Sequence, residues 1–222
     1  MFELTVRLLG DTEQVNYYLP RILNYEVVGC YAQTELGHGS NVQGLETTAE
    51  YDPATEQFVL NSPTISSAKA WPGELGKIGN HGVFHAQLIC NGKSHGVHAF
   101  IVQIRDLETH RPLPGIEVGD LGPKYGFEPK DNGYLYFRQY RVPRGALLCR
   151  YVSVGKDGIV QHHGDPKVSY ATMMYIRQRL IKTSVDNVAK GLTIAIRYGI
   201  VRTQFKTLKN GEERKILDYQ AH

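Results

Sequence analysis

Between residues 12 and 25 the apolar side chains of Val15, Tyr18, Leu19, Ile22 and Leu23 recur at three- and four-residue steps, the period of a helix with one buried face. Asp11 or Thr12, in the polar turn Gly10-Asp11-Thr12, supplies a cap, so a short helix is predicted there. Ahead of that turn Phe2, Leu4, Val6, Leu8 and Leu9 are also apolar. From Glu26 to Val152 the pattern changes to short β-branched and aromatic runs broken by Gly, Asn, Asp and Pro. Gln57 to Leu60, Val83 to Cys90 before the turn Asn91-Gly92, Val97 to Ile104, and Tyr134 to Val142 predict an antiparallel β region, a small barrel or sandwich.

Asp165-Pro166 then opens a new element, because Asp caps a helix and Pro suits its first position. Val168, Ala171, Tyr175, Ile176, Leu180, Val188, Leu192, Ile196 and Val201 keep helical steps through to Phe205, predicting one long helix. Gly191 costs about 1 kcal/mol relative to Ala inside it, and marks either a close helix neighbour or tolerance. The tail from Lys206 to His222 is polar and basic, with a turn at Lys209-Asn210-Gly211-Glu212-Glu213. The fold class is α+β: a short N-terminal helix, an antiparallel β-barrel or sandwich, and a long helix. The segments are 1–25, 26–152 and 165–222.

Composition narrows the function. A formal charge of +3 over 222 residues, with no Lys/Arg run, argues against a nucleic-acid partner. No apolar run approaches the roughly 20 residues of a membrane span, and the first residues do not form a signal peptide, so a soluble protein is expected. Cys30, Cys90 and Cys149 are odd in number and far apart, which predicts reduced thiols in an intracellular compartment. His162-His163 and the pair His95 and His98 lack convergent carboxylates or cysteines at ligand spacing, so no metal site is expected.

The candidate chemistry lies in two segments. Gly29-Cys30-Tyr31-Ala32-Gln33-Thr34-Glu35-Leu36-Gly37-His38-Gly39-Ser40-Asn41 combines hydroxyls with unhindered glycine amides. Lys69-Ala70-Trp71-Pro72-Gly73-Glu74-Leu75-Gly76-Lys77 adds an indole beside Pro-Gly. Glycines let amides approach an anion, hydroxyls direct hydrogen bonds, and an indole lies against a planar ring, which suits a ligand such as a flavin dinucleotide. Taken singly, Gly-x-Gly-Ser is common in turns and a lone Trp is commonly core.

Together the two segments resemble the Tyr-Ala-Gln-Thr-Glu-x-Gly-His-Gly and Trp-Pro-Gly-x-Leu-Gly-Lys signatures of the acyl-CoA oxidases, the peroxisomal branch of the acyl-CoA dehydrogenase superfamily. The resemblance continues in order through Leu45-Glu46-Thr47-Thr48-Ala49, His98-Ala99-Phe100-Ile101-Val102-Gln103, Leu113-Pro114-Gly115-Ile116, Asp131-Asn132-Gly133-Tyr134-Leu135, Val142-Pro143-Arg144 and Tyr198-Gly199-Ile200-Val201-Arg202-Thr203-Gln204-Phe205. It covers nearly the whole chain. It implies the end of an N-terminal helical domain over 1–25, a middle β domain over 26–152, and the start of an incomplete C-terminal helical domain over 165–222.

The resemblance further implies FAD-dependent oxidation of an acyl-CoA to trans-2-enoyl-CoA in the peroxisome, with electrons passed to O2 to give H2O2, in a homodimer or with other chains completing the fold. Thr34 would hydrogen-bond the flavin ring edge or N5, with Gln33 and Glu35 beside it. Ser40, with Gly37 and Gly39, would touch the cofactor phosphates, Trp71 would pack on the ring, and Gly73 would offer backbone contact. Gly73 stands where many dehydrogenases carry a hydroxyl, and the room it leaves is expected to help dioxygen reach the reduced flavin. Arg202 and Phe205, in an Arg-x-x-Phe pattern, would reach the FAD pyrophosphate of a partner subunit, and Gln220 matches another cofactor-touching position. The catalytic base is expected beyond His222, so the chain is read as a fragment inactive alone. The alternatives are an acyl-CoA dehydrogenase with a flavoprotein acceptor and a non-catalytic scaffold remnant.

Overall fold

A computed structural model describes residues 1–164, 171–206 and 211–219. The expected cap at Asp165-Pro166, Val168, the first half of the Lys209 turn, and Gln220 lie outside the described residues. The chain divides into two compact units, Met1–Thr172 and Met173–His222.

Two helices open the first unit where the sequence predicts one: α1 (Phe2–Leu9) and α2 (Thr12–Leu23). The apolar run at residues 2 to 9 mimics strand alternation, yet it buries Phe2, Thr5, Val6 and Leu9, one helical face. Gly29 makes room for that face, since a Cβ there would fall 2.4 Å from the Phe2 ring. Helix α2 starts at Asp11, whose carboxylate accepts from the Gln14 amide at 2.8 Å while the Gln14 side chain accepts from the Asp11 amide at 3.0 Å. The same Gln14 donates to the carbonyls of Gly145 and Leu147, tying the helix to the β region.

The strands are β1 (Gly29–Ala32), β2 (Thr48–Asp52), β3 (Gln57–Asn61), β4 (Lys69–Ala70), β5 (His81–Cys90), β6 (Lys93–Gln103), β7 (Ile116–Asp120), β8 (Gly133–Phe137), β9 (Tyr140–Pro143), β10 (Val152–Val154) and β11 (Val160–His162). One sheet runs β1-β5-β2-β3-β9 with β6 also on β5, a second runs β4-β8-β7, and β10-β11 is a hairpin. Pairing is antiparallel as expected except on one edge of β5, where β1 and β2 both run parallel to it.

The alternation of β5 and β6 decides where the core sits. Phe84, Leu88, Phe100 and Val102 meet Phe58, Leu60, Leu135 and Phe137 between the sheets, whereas Val83 and Ile101 pack with Phe2, Val6 and Leu9 of α1. Both faces of β5 are therefore covered, and every residue from His81 to Ala86 is buried.

In the second unit the described helix α3 (Ala171–Val201) ends before Phe205, and Thr203–Lys206 forms strand β12, paired with β13 (Glu213–Lys215). Leu180, Ile181, Val185, Val188, Leu192, Ile194 and Ile196 of α3 are exposed, and among the described residues nothing lies within 4 Å of a Cβ placed on Gly191.

Candidate functional site

The parallel edge of β5 creates the first loop. β1 pairs with residues 81 to 84 and β2 with residues 87 to 89, so the segment from 33 to 47 leaves the sheet between them. Lys69 closes that gap: its ammonium donates to the carbonyl of His85 at 2.6 Å and to Glu35 Oε1 at 3.0 Å. Glu35 in turn accepts from the Glu46 amide at 2.7 Å, the Thr47 amide at 2.9 Å and the Thr47 hydroxyl at 2.5 Å. Burial opposes the ionised form of Glu35, and Lys69 with these donors outweighs it, holding the carboxyl below its ordinary value. Burial also pulls the Lys69 ammonium down to about 8 against the attraction of Glu35.

A second carboxylate builds the second loop. Asp131, nearly buried, accepts from the amides of Glu74 at 3.0 Å, Lys77 at 3.1 Å and Ile78 at 2.9 Å. Arg105 binds the carbonyl side of the same loop, donating to Gly79 at 2.5 Å and to Leu75 and Gly76 at 3.0 Å each. Buried charges that satisfy backbone groups from both sides fix a loop without strand pairing. Lys69, Arg105 and Asp131 are absent from the site predicted by sequence, since burial is invisible in a turn-like Asp-Asn-Gly or an isolated Lys.

The two loops meet. The Ala70 amide donates to the Thr34 carbonyl at 3.1 Å, which sets Thr34 next to the residue preceding Trp71. Trp71 is in the left-handed region at φ 78°, held there by its amide to Gly133 at 3.0 Å and by Asn132 donating to its carbonyl at 2.6 Å. Its side chain stays 58% exposed. A bulky residue in that conformation is costly unless its surroundings impose it, and such outliers gather at functional sites. The Thr34 hydroxyl has no hydrogen-bond partner among the described residues, while the Gln33 side chain accepts from the Tyr31 hydroxyl at 3.0 Å.

Gly37 serves packing, because a Cβ there would fall 2.9 Å from Ser66 Cβ; a Cβ on Gly39 would meet nothing within 4 Å among the described residues, and Ser40 is exposed beside it. At Gly73 the expected room is occupied by the Lys130 chain, whose Cε would lie 2.1 Å from a Cβ and whose ammonium pairs with Glu74. An open cleft of about 560 Å3 begins there, lined by Phe2, Ile22, Val27, Tyr31, Glu74 and Lys130. Arg202 and Phe205 belong to the second unit; Arg202 is exposed, and Phe205 lies in β12 with a left-handed φ of 64°.

Among the described residues no group of three or more His, Cys, Asp or Glu is arranged to hold a metal, and no helix is long and apolar enough to cross a membrane. Cys30 and Cys90 are buried free thiols, and Cys149 donates to Asp11 at 2.9 Å.

Residues 170–222 match the acyl-CoA oxidase C-alpha1 domain. Peroxisomal acyl-coenzyme A oxidase 1 of Mus musculus is 47% identical over 221 residues, covering 100% of this chain and 33% of the mouse protein. Acyl-CoA oxidase 1 of Arabidopsis thaliana superposes with a TM-score of 0.94 at 44% identity, over 100% of this chain and 34% of that one. Acyl-CoA oxidase-2 of Caenorhabditis elegans, solved bound with FAD, ascaroside-CoA and ATP, superposes with a TM-score of 0.95 at 45% identity, over 99% of this chain and 33% of that one. The chain belongs to the acyl-CoA oxidase family. It spans about a third of the length of these relatives.

Proposed function

We propose that this chain is the flavin-holding β portion of a peroxisomal acyl-CoA oxidase, working with FAD on an acyl-CoA substrate. The exposed indole of Trp71, fixed in a left-handed conformation one residue from the Thr34 contact, is the observation that carries it. The residues fit the cofactor: the Thr34 hydroxyl is available to the polar ring edge, Trp71 offers a planar face, and the Gly39-Ser40 loop is open for phosphate. Bound FAD supplies the hydride acceptor that amino-acid side chains lack. Thr34 with the neighbouring Gln33 orients the ring, Gly73 offers backbone contact, and Arg202 with Phe205 reaches the pyrophosphate held by the other subunit of a homodimer.

Glu35, Asp131 and Glu74 are unsuited to take the substrate α-proton. Glu35 is saturated with donors and buried, Asp131 is committed to three amides, and Glu74 is paired with Lys130. A base must lie within hydrogen-bond reach of the proton it takes, and the family resemblance implies that it belongs to a part of the enzyme outside these 222 residues. Electrons then pass to O2, giving H2O2. Purified full-length protein incubated with an acyl-CoA under air should release H2O2 and 2-enoyl product in equal amounts. Product formed only with an added flavoprotein acceptor would contradict the oxidase assignment.

A further inference from the structure

We propose that His38 is a positioning residue: it bridges Glu35 and Glu46 and offsets their negative charge beneath the Gly39-Ser40 loop, so that the loop accepts an anionic phosphate. This rests on the flavin reading of the site and goes on to assign a residue that the reading leaves idle. The His38 Nδ1 lies 3.6 Å from Glu35 Oε2 and 3.6 Å from Glu46 Oε1. That atom is buried and makes no hydrogen bond among the described residues. The backbone holds it in place, because Glu35 and His38 exchange two amide-to-carbonyl bonds of 3.1 Å each.

The two carboxylates are not equivalent. Glu35 has a cation, the Lys69 ammonium at 3.0 Å. Glu46 accepts from the hydroxyls of Ser66, at 2.8 Å, and Thr64, which stabilise its ionised form without cancelling its charge. Among the described residues it has no Lys or Arg partner within 4.0 Å, only His38 at 3.6 Å. Glu35, Glu46 and Lys69 together leave one net negative charge beneath a loop whose Gly39 and Ser40 are open. An unbalanced carboxylate near a bound diphosphate repels it, and the His38 ring between the carboxylates counters that repulsion. At 3.6 Å both contacts are longer than a hydrogen bond, so the interaction is one of charge and acts without fixed directional geometry.

The test uses the full-length protein, stripped of FAD and titrated with it while flavin fluorescence is followed. His38→Gln keeps a polar side chain of similar reach and removes the basic ring; it should weaken FAD binding about tenfold at low salt. The loss should shrink as salt is raised and also in a Glu46→Gln background, where the charge needing compensation is gone. A residue that merely shaped the loop would give a loss insensitive to salt and to Glu46. Glu46→Gln alone should bind FAD at least as tightly as wild type, and serves if the His38 variant does not fold. Wild-type affinity in His38→Gln, or an equal loss in both backgrounds, overturns the proposal alone. A wild-type protein that takes up no FAD overturns the flavin reading and the proposal together.

Discussion

The Lys69 ammonium sits 3.0 Å from Glu35 Oε1, with both side chains wholly buried. The pair ties the 33 to 47 loop and β4 to the stretch of β5 left open between β1 and β2, and so positions Thr34. Removing one member strands the other charge in a buried place. Lys69→Met should therefore cost about 3–5 kcal/mol in urea unfolding of the β unit. A cost below about 1 kcal/mol would mean that the loop does not depend on this charge.

Glu35 and Asp131 share a direction of pKa shift. Burial alone would raise both, and the donors around each outweigh it, leaving them below their ordinary values of 4.5 and 3.8. The unfolded chain then binds more protons in acid than the folded one. Stability from these groups is fully present above the ordinary carboxyl values and is lost as pH falls through the folded ones. The urea midpoint should drop steeply between about pH 5 and pH 3. Asp131→Asn should lower the midpoint at neutral pH and flatten that acid slope; an unchanged slope would show that Asp131 titrates alike in both states.

Trp71 sets stability against binding. Its left-handed backbone costs about 1–2 kcal/mol for a residue with a Cβ, and its exposed ring recovers little of that by burial. Trp71→Gly should raise the thermal midpoint of the β unit while weakening FAD binding about tenfold. A loss of stability would place the indole in the core of the fold.

Gly73→Ser tests whether the space beside Gly73, which the Lys130 chain fills in this structure, serves oxygen access once that chain moves aside. The three nearest atoms all belong to the Lys130 chain, whose far end can swing aside, so the variant should fold normally. Reoxidation of the reduced enzyme by O2 should slow severalfold. An unchanged rate constant removes oxygen access as the reason for glycine here.

Much of the fold was legible because its signals are local. The Asp11 cap with Gln14 three residues on marks α2, and Asn91-Gly92 marks the β5-β6 hairpin. Helix α1 was not, because Phe2, Leu4, Val6 and Leu8 alternate like a strand; its buried face includes Thr5, which no apolar pattern records. The parallel edge of β5 was hidden too, since it joins residues about 40 to 50 positions apart and leaves no local trace. In the site, Thr34 and Trp71 were reached through family resemblance, and the structure brings their loops together. The buried charges beneath them, Lys69, Arg105 and Asp131, carry the geometry and look in sequence like any loop charge.

The central claim, that Thr34 and Trp71 form one flavin face, is tested most directly by titrating full-length apoprotein with FAD and recording affinity and flavin fluorescence for wild type, Thr34→Val and Trp71→Leu. Stacking on the indole predicts strong quenching of bound flavin in the wild type and its relief in Trp71→Leu. Loss of the Thr34 hydroxyl should weaken binding about tenfold with quenching retained. Equal affinity and equal quenching in all three proteins would contradict the claim and place the flavin elsewhere.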